Sequence, residues 1–117
     1  MPKTAILIGF GGMGKRYYKA LQIMKFKVLA ICEKKKTNIL HYKFDKKLIV
    51  TKDYKKLLHL KADLLCVASN TGSRFEILNS FCKKNLIKRI ITEKPLSISY
   101  KQCLAIYRIA KKKKIRL

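Results

Sequence analysis

Three glycines near the start of the chain, Gly9, Gly11 and Gly14, are spaced Gly-x-Gly-x-x-Gly. A carboxylate, Glu33, follows about 20 residues later, the distance at which a ribose-binding acid belongs. This spacing carries phosphate chemistry. The first glycine permits a tight turn, the second lets backbone approach a pyrophosphate, and the third lets a helix lie close on a strand. A helix opening there turns unpaired N–H groups and a partial positive charge toward the anion. The candidate cradle is therefore Gly9, Phe10, Gly11, Gly12, Met13 and Gly14. A second charged set, Glu93-Lys94-Pro95, stands late in the chain. A lysine ammonium can polarise a hydroxyl or stabilise a developing alkoxide, and Pro95 pins the chain beside it.

The elements that must position these residues are legible from apolar runs. Thr4–Ile8 reads as a buried strand feeding the glycine turn, and a helix follows from Gly12 to Met24 with Tyr17, Leu21 and Met24 at helical spacing. Lys27–Cys32 is a second strand that Glu33 closes. Lys34–Lys47 reads as a polar loop with a short helix, and Leu48-Ile49-Val50 as a brief third strand. Asp53 can cap a short helix carrying Leu57 and Leu58. Asp63–Ser69 is a strong buried strand that Asn70-Thr71-Gly72 breaks. Ser73-Arg74-Phe75-Glu76 and Ser99-Tyr100-Lys101-Gln102 have the form of capping boxes opening two further helices, with Asn85 a left-handed end for the first. Lys88–Thr92 is a fifth strand, and Ile115-Arg116-Leu117 looks like the start of a sixth. Strands alternating with helices predict a parallel α/β sheet, and in such sheets ligands bind outside the carboxyl ends of the strands. Both charged sets fall at such ends.

With 117 residues and 49% hydrophobic content, the chain is one globular domain. No apolar run is long enough to span a bilayer, and TAILIGF leads into the glycines rather than a cleavage site, so a cytoplasmic protein is expected. Four cysteines without a C-x-x-C pair, and only His41 and His59, support neither a metal site nor a disulfide framework. Both histidines read as surface residues. The net charge of +23 is dominated by 24 scattered lysines against five arginines. That pattern reads as a solvated surface rather than a specific nucleic-acid site, although salt-sensitive sticking to polyanions is expected. The glycine turn also nearly fits a Walker A loop, Gly9 to Lys15. Arg16 stands where that loop needs Ser or Thr for Mg²⁺, which argues against NTP hydrolysis.

The glycine loop, Glu33, the Ala68-Ser69-Asn70-Thr71 segment after strand four and Glu93-Lys94-Pro95 after strand five together resemble the Gfo/Idh/MocA oxidoreductases, in order and over essentially the whole chain. The resemblance implies a Rossmann-type domain: a doubly wound parallel sheet in three layers, α/β/α, binding a nicotinamide dinucleotide. It implies that Gly9–Gly14 hold the pyrophosphate, Glu33 the adenosine ribose, and Ser69, Asn70 and Thr71 the nicotinamide side. Glu93, Lys94 and Pro95 would close over the nicotinamide, with Lys94 the catalytic candidate. NAD is the expected cofactor because Glu33 repels a 2′-phosphate. NADP is the alternative, since Lys34, with Lys35 and Lys36, could neutralise that phosphate.

Two departures stand out. Asn70 replaces the family's usual proline and Arg74 stands near its usual histidine. Family members also continue into a second domain that carries most of the sugar-like substrate's pocket and, in family dimers, the homo-oligomer interface. This chain is therefore expected to bind dinucleotide with little or no turnover, and to expose an apolar patch where such a domain packs. Two other readings stay open: a non-catalytic NAD(H)-sensing module, and a basic nucleic-acid binder.

Overall fold

In the computed structural model, which describes residues 2–117, the apolar runs become five parallel strands. They are β1 (Thr4–Ile8), β2 (Lys27–Cys32), β3 (Ile49–Thr51), β4 (Ala62–Val67) and β5 (Ile87–Thr92), in the sheet order β3-β2-β1-β4-β5. Three helices cross between them: α1 (Gly12–Ile23), α2 (Thr71–Lys84) and α3 (Tyr100–Lys112). Short 3-10 turns occupy Lys36–Asn38 and Tyr54–Leu57, the second capped by the Asp53 carboxylate on the Lys55 N–H.

The sheet is buried on both faces because its strands alternate two apolar sets. Ile6, Ile8, Leu65 and Val67 pack with Leu78, Phe81 and Ile106 beneath α2 and α3. Ala5, Leu7, Ile31 and Cys66 pack with Leu21 and Phe10 beneath α1. Helices on both faces make the three layers. Cys32, Cys66 and Cys82 are buried among these residues, and burial pushes each thiol up to about 11. Beside β5 the expected sixth strand is present only as a single parallel bridge, Arg116 to Arg89, with the Arg116 N–H donating to the Lys88 carbonyl and its own carbonyl accepting from the Ile90 N–H. On the α1 side this edge is uncovered. A hollow of about 610 Å³ there is floored by Met24, Phe26, Leu64, Ile91 and Leu117 and rimmed by Lys3, Lys88, Arg89 and Arg116.

Two local readings are corrected. The fourth strand stops at Val67, and Asn70-Thr71-Gly72 opens α2 rather than merely breaking the strand. Asn70, not Ser73, is the cap: its Oδ1 accepts from the Ser73 N–H at 3.1 Å, and Glu76 instead accepts from the Tyr54 hydroxyl. The box at Ser99 is half formed. Its hydroxyl accepts from the Gln102 N–H, while the Gln102 side chain turns to Ser97. Asn85 ends α2 in the left-handed conformation at φ 56°.

The amino ends of β1 and β4 are tied by a reciprocal pair. Asp63 accepts from the Thr4 N–H at 2.8 Å and its hydroxyl at 3.2 Å, and Thr4 Oγ1 accepts from the Asp63 N–H. The Thr4 N–H bond holds the Asp63 carboxyl below its ordinary value of 3.8. A depressed folded pKa stabilises the fold above the unfolded value, and that stability is lost as pH falls through the folded one. Asp63→Asn should therefore flatten the fall in melting temperature on acidification below the ordinary value of 3.8. An acid limb as steep as the parent's would exclude this role for Asp63.

Candidate functional site

The topology reverses between β1 and β4, where successive connections leave in opposite directions and open a crevice at the strand ends. Backbone bonds lock the ends together. The Gly9 N–H donates to Cys32 at 2.7 Å, Ala68 to Ile8 at 2.7 Å, Glu33 to Thr51 at 2.9 Å and Glu93 to Val67 at 3.1 Å. The crevice measures about 330 Å³, and Gly9, Gly11, Glu33, Lys34, Ser69 and Asn70 line it with Lys35, Tyr54 and Ile77. Six predicted site residues from three segments are therefore brought together.

The three glycines of the motif divide into two kinds. Gly9 has φ +96°, and a Cβ there would stand 2.7 Å from the Ala68 carbonyl. A Cβ on Gly14 would stand 2.0 Å from the Gly9 carbonyl oxygen, so α1 rests directly on the turn. Gly11 is different: a Cβ on it meets nothing within 4 Å. It caps α1 with no side chain to occupy the first-turn N–H groups, at the crevice wall. Gly12 and Met13 begin the helix outside the crevice, facing solvent.

Phe10 turns its ring away from the crevice into the α1-side core, where it meets Tyr18, Tyr42 and Phe44 edge-on. Lys15 lies over the Phe10 and Tyr42 rings at 5.8 and 5.7 Å, a cation–π position. The Phe10 N–H donates to Glu33 Oε1 at 2.6 Å, and the Lys35 N–H to Oε2 at 2.8 Å. Glu33 is 9% exposed, so the same carboxylate that fixes both loops also edges the crevice. A carboxylate has about four lone-pair sites, and two remain for a ligand.

Glu93, Lys94 and Pro95 do not line this crevice. They form the adjoining turn after β5, with the Lys94–Pro95 peptide cis and the Lys94 side chain exposed. The Tyr17 hydroxyl on α1 donates to Glu93 Oε1 at 2.7 Å. Burial, then the Glu93 bond and charge, push the Tyr17 hydroxyl up to about 12, so it stays a donor through the neutral range. Thr71 forms the first residue of α2.

Sequence reasoning did not find the role of Arg74. It is 4% exposed and donates to the carbonyls of Ser69 (2.6 Å), Glu93 (2.9 Å) and Pro95. Burial lowers its pKa and the Glu93 charge raises it. A signal was available: Arg74 shares helical spacing with buried Ile77, Leu78 and Phe81, an apolar stripe where a cation needs partners. His41 and His59 lie exposed, away from the crevice.

The residues fit a dinucleotide on two observations: the open space beside Gly11, and Ser69 Oγ, buried with no hydrogen-bond partner among the described residues. Strand order, switch-point crevice and glycine turn define a dinucleotide-binding Rossmann domain. The family model described as "Oxidoreductase family, NAD-binding Rossmann fold" matches residues 3–117, so the chain belongs to the Gfo/Idh/MocA oxidoreductase family.

Solved structures share the fold. Myo-inositol 2-dehydrogenase from Lactobacillus plantarum matches with TM-score 0.81 and 22% identity, over 96% of this chain and 34% of that one. WlbA dehydrogenase from Bordetella pertussis, in complex with NADH and UDP-GlcNAcA, matches at 0.83 and 15%, over 100% and 36%. Biliverdin reductase from Synechocystis sp. PCC 6803, in complex with biliverdin and NADP+, matches at 0.87 and 15%, over 100% and 37%. The chain spans about a third of the length of these structures. A comparison with curated proteins finds no match. Among the described residues no helix is long and apolar enough to cross a membrane.

Proposed function

We propose that residues 1–117 form the cofactor-binding part of a cytoplasmic oxidoreductase that moves hydride between NAD and a sugar- or polyol-type hydroxyl or carbonyl. The observation that carries this reading is Gly11, a helix-capping glycine that faces open space at the wall of a switch-point crevice. The NADH and sugar-nucleotide complex of WlbA and the inositol dehydrogenase support the substrate class by similarity.

The backbone from Gly9 to Gly14 holds the pyrophosphate, with α1 contributing its N-terminal dipole. Glu33 takes the adenosine ribose through its remaining lone pairs. Ser69 offers its unpartnered hydroxyl, with Asn70 and Thr71, toward the nicotinamide side. When bound, the nicotinamide supplies or accepts the hydride. Lys94, exposed in the turn after β5, would orient a substrate hydroxyl and stabilise charge developing on its oxygen. These residues alone turn over substrate little or not at all, since the site they build is a cofactor site.

Calorimetric titration with NADH and NADPH tests the reading. Saturable one-to-one binding with NADH preferred is expected, because the Glu33 carboxylate repels a 2′-phosphate. Glu33→Gln keeps one acceptor for the loop and removes the charge, so the preference should shift toward NADPH by roughly tenfold. An unchanged ratio would mean that Glu33 does not face the ribose.

A further inference from the structure

We propose that Arg74 is the positioning residue for the nicotinamide half of the site, acting through the backbone of Ser69 and of the Glu93-Lys94-Pro95 turn. The inference rests on the reading of the crevice given above. One nitrogen of Arg74, Nη1, donates to the carbonyls of both Glu93 and Pro95, the two residues that flank Lys94. The other, Nη2, donates to the carbonyl of Ser69 at 2.6 Å. The backbone of Lys94 is thereby fixed on both sides while its ammonium is left exposed, and Ser69 is held from behind while its hydroxyl stays unpartnered.

Among the described residues no carboxylate hydrogen-bonds this buried guanidinium. The Glu93 carboxylate beside it accepts from Tyr17 instead, so α1 and α2, packed on opposite faces of the sheet, meet at one residue. A planar fork reaching three carbonyls from two chain segments is a task for arginine, because lysine offers one compact charge on a flexible stem. The glycine turn and Glu33 are held by separate bonds, the Gly9 N–H to the Cys32 carbonyl and the Phe10 and Lys35 N–H groups to the Glu33 carboxylate, none of which involves Arg74. The brace therefore governs one half of the dinucleotide site.

The test compares NADH with ADP-ribose, which lacks only the nicotinamide. Both carry the same pyrophosphate, so non-specific attraction to a +23 chain cancels in the ratio of affinities. The parent should bind NADH more tightly than ADP-ribose. Arg74→Met should lower NADH affinity roughly tenfold and leave ADP-ribose within about twofold. Arg74→Lys should lose nearly as much as the methionine variant. Tyr17→Phe keeps the ring's packing and removes only the Glu93 bond, so it carries the test even if Arg74 variants fail to fold. It should lose affinity several-fold for NADH alone. Equal losses for both ligands or no loss for either, in a folded Arg74→Met or in Tyr17→Phe, or a parent that binds the two ligands equally, would overturn the proposal. A parent that binds neither ligand would instead overturn the site assignment, so the two failures are distinguishable.

Discussion

Replacing Gly11 by valine is expected to leave the fold intact and reduce NADH affinity at least ~100-fold. The two halves of that expectation have separate causes. Gly11 sits at φ −78°, a conformation open to any residue, and a Cβ there meets no protein atom within 4 Å. A side chain can therefore start at this position without backbone strain or a clash at its Cβ. The isopropyl group does occupy the space at the crevice wall where a pyrophosphate must approach the first N–H groups of α1. Gly12→Ala is the control. Its Cβ also meets open space, Gly12 lies outside the crevice as the first helical residue, and alanine keeps the N–H that the pyrophosphate would use. That substitution should preserve binding and stabilise the fold by about 0.5–1 kcal/mol. Thermal melting and calorimetry on the two variants separate the effects; undiminished affinity in Gly11→Val would remove the phosphate from this turn.

Gly14→Ala and Gly9→Ala should do the opposite and damage the fold itself. A Cβ on Gly14 would lie 2.0 Å from the Gly9 carbonyl oxygen, which is backbone and has no rotamer to escape into. Relief requires α1 to lift off β1, opening the Leu21, Phe10 and Leu7 packing beneath it. Gly9→Ala combines a left-handed backbone at φ +96° with a contact of 2.7 Å to Ala68. Each change should cost roughly 3 kcal/mol or more, a large share of the ~5–15 kcal/mol that holds a domain folded. Urea denaturation measures this directly. A midpoint equal to the parent's in either variant would show that the turn can be rebuilt without glycine.

The glycine motif was readable because its requirements are local. A tight turn, a close helix and a free helix end are each set within a few residues of Gly9, and the same holds for the left-handed Asn85 and the Asp53 cap. Glu33 was readable by position, although its second task was not. That it anchors the loops through the Phe10 and Lys35 amides depends on how two strand ends meet. The start of α2 was misplaced because Ser73 and Glu76 have capping-box spacing while Asn70, three residues earlier, competes for the same task and wins. The Arg74 brace joins residues up to 21 positions apart. The Tyr17–Glu93 bond spans 76. Contacts of that kind are decided by strand order, which periodicity does not reveal. The apolar stripe around Arg74 pointed to burial but not to what the guanidinium would hold.

Charge sets the most demanding control on the cofactor reading. A chain of net charge +23 attracts any polyanion, and that attraction falls steeply with salt. A built site depends far less on salt, because most of its affinity comes from oriented N–H groups, the Glu33 carboxylate and buried contacts rather than from diffuse lysines. The decisive measurement is a calorimetric titration with NADH at about 0.15 M and about 0.5 M salt, with tripolyphosphate titrated in parallel. The expected result is a one-to-one NADH isotherm that persists at the higher salt while the tripolyphosphate heat disappears. NADH heat that vanishes together with that of tripolyphosphate would contradict the dinucleotide site and leave surface charge as the source of binding.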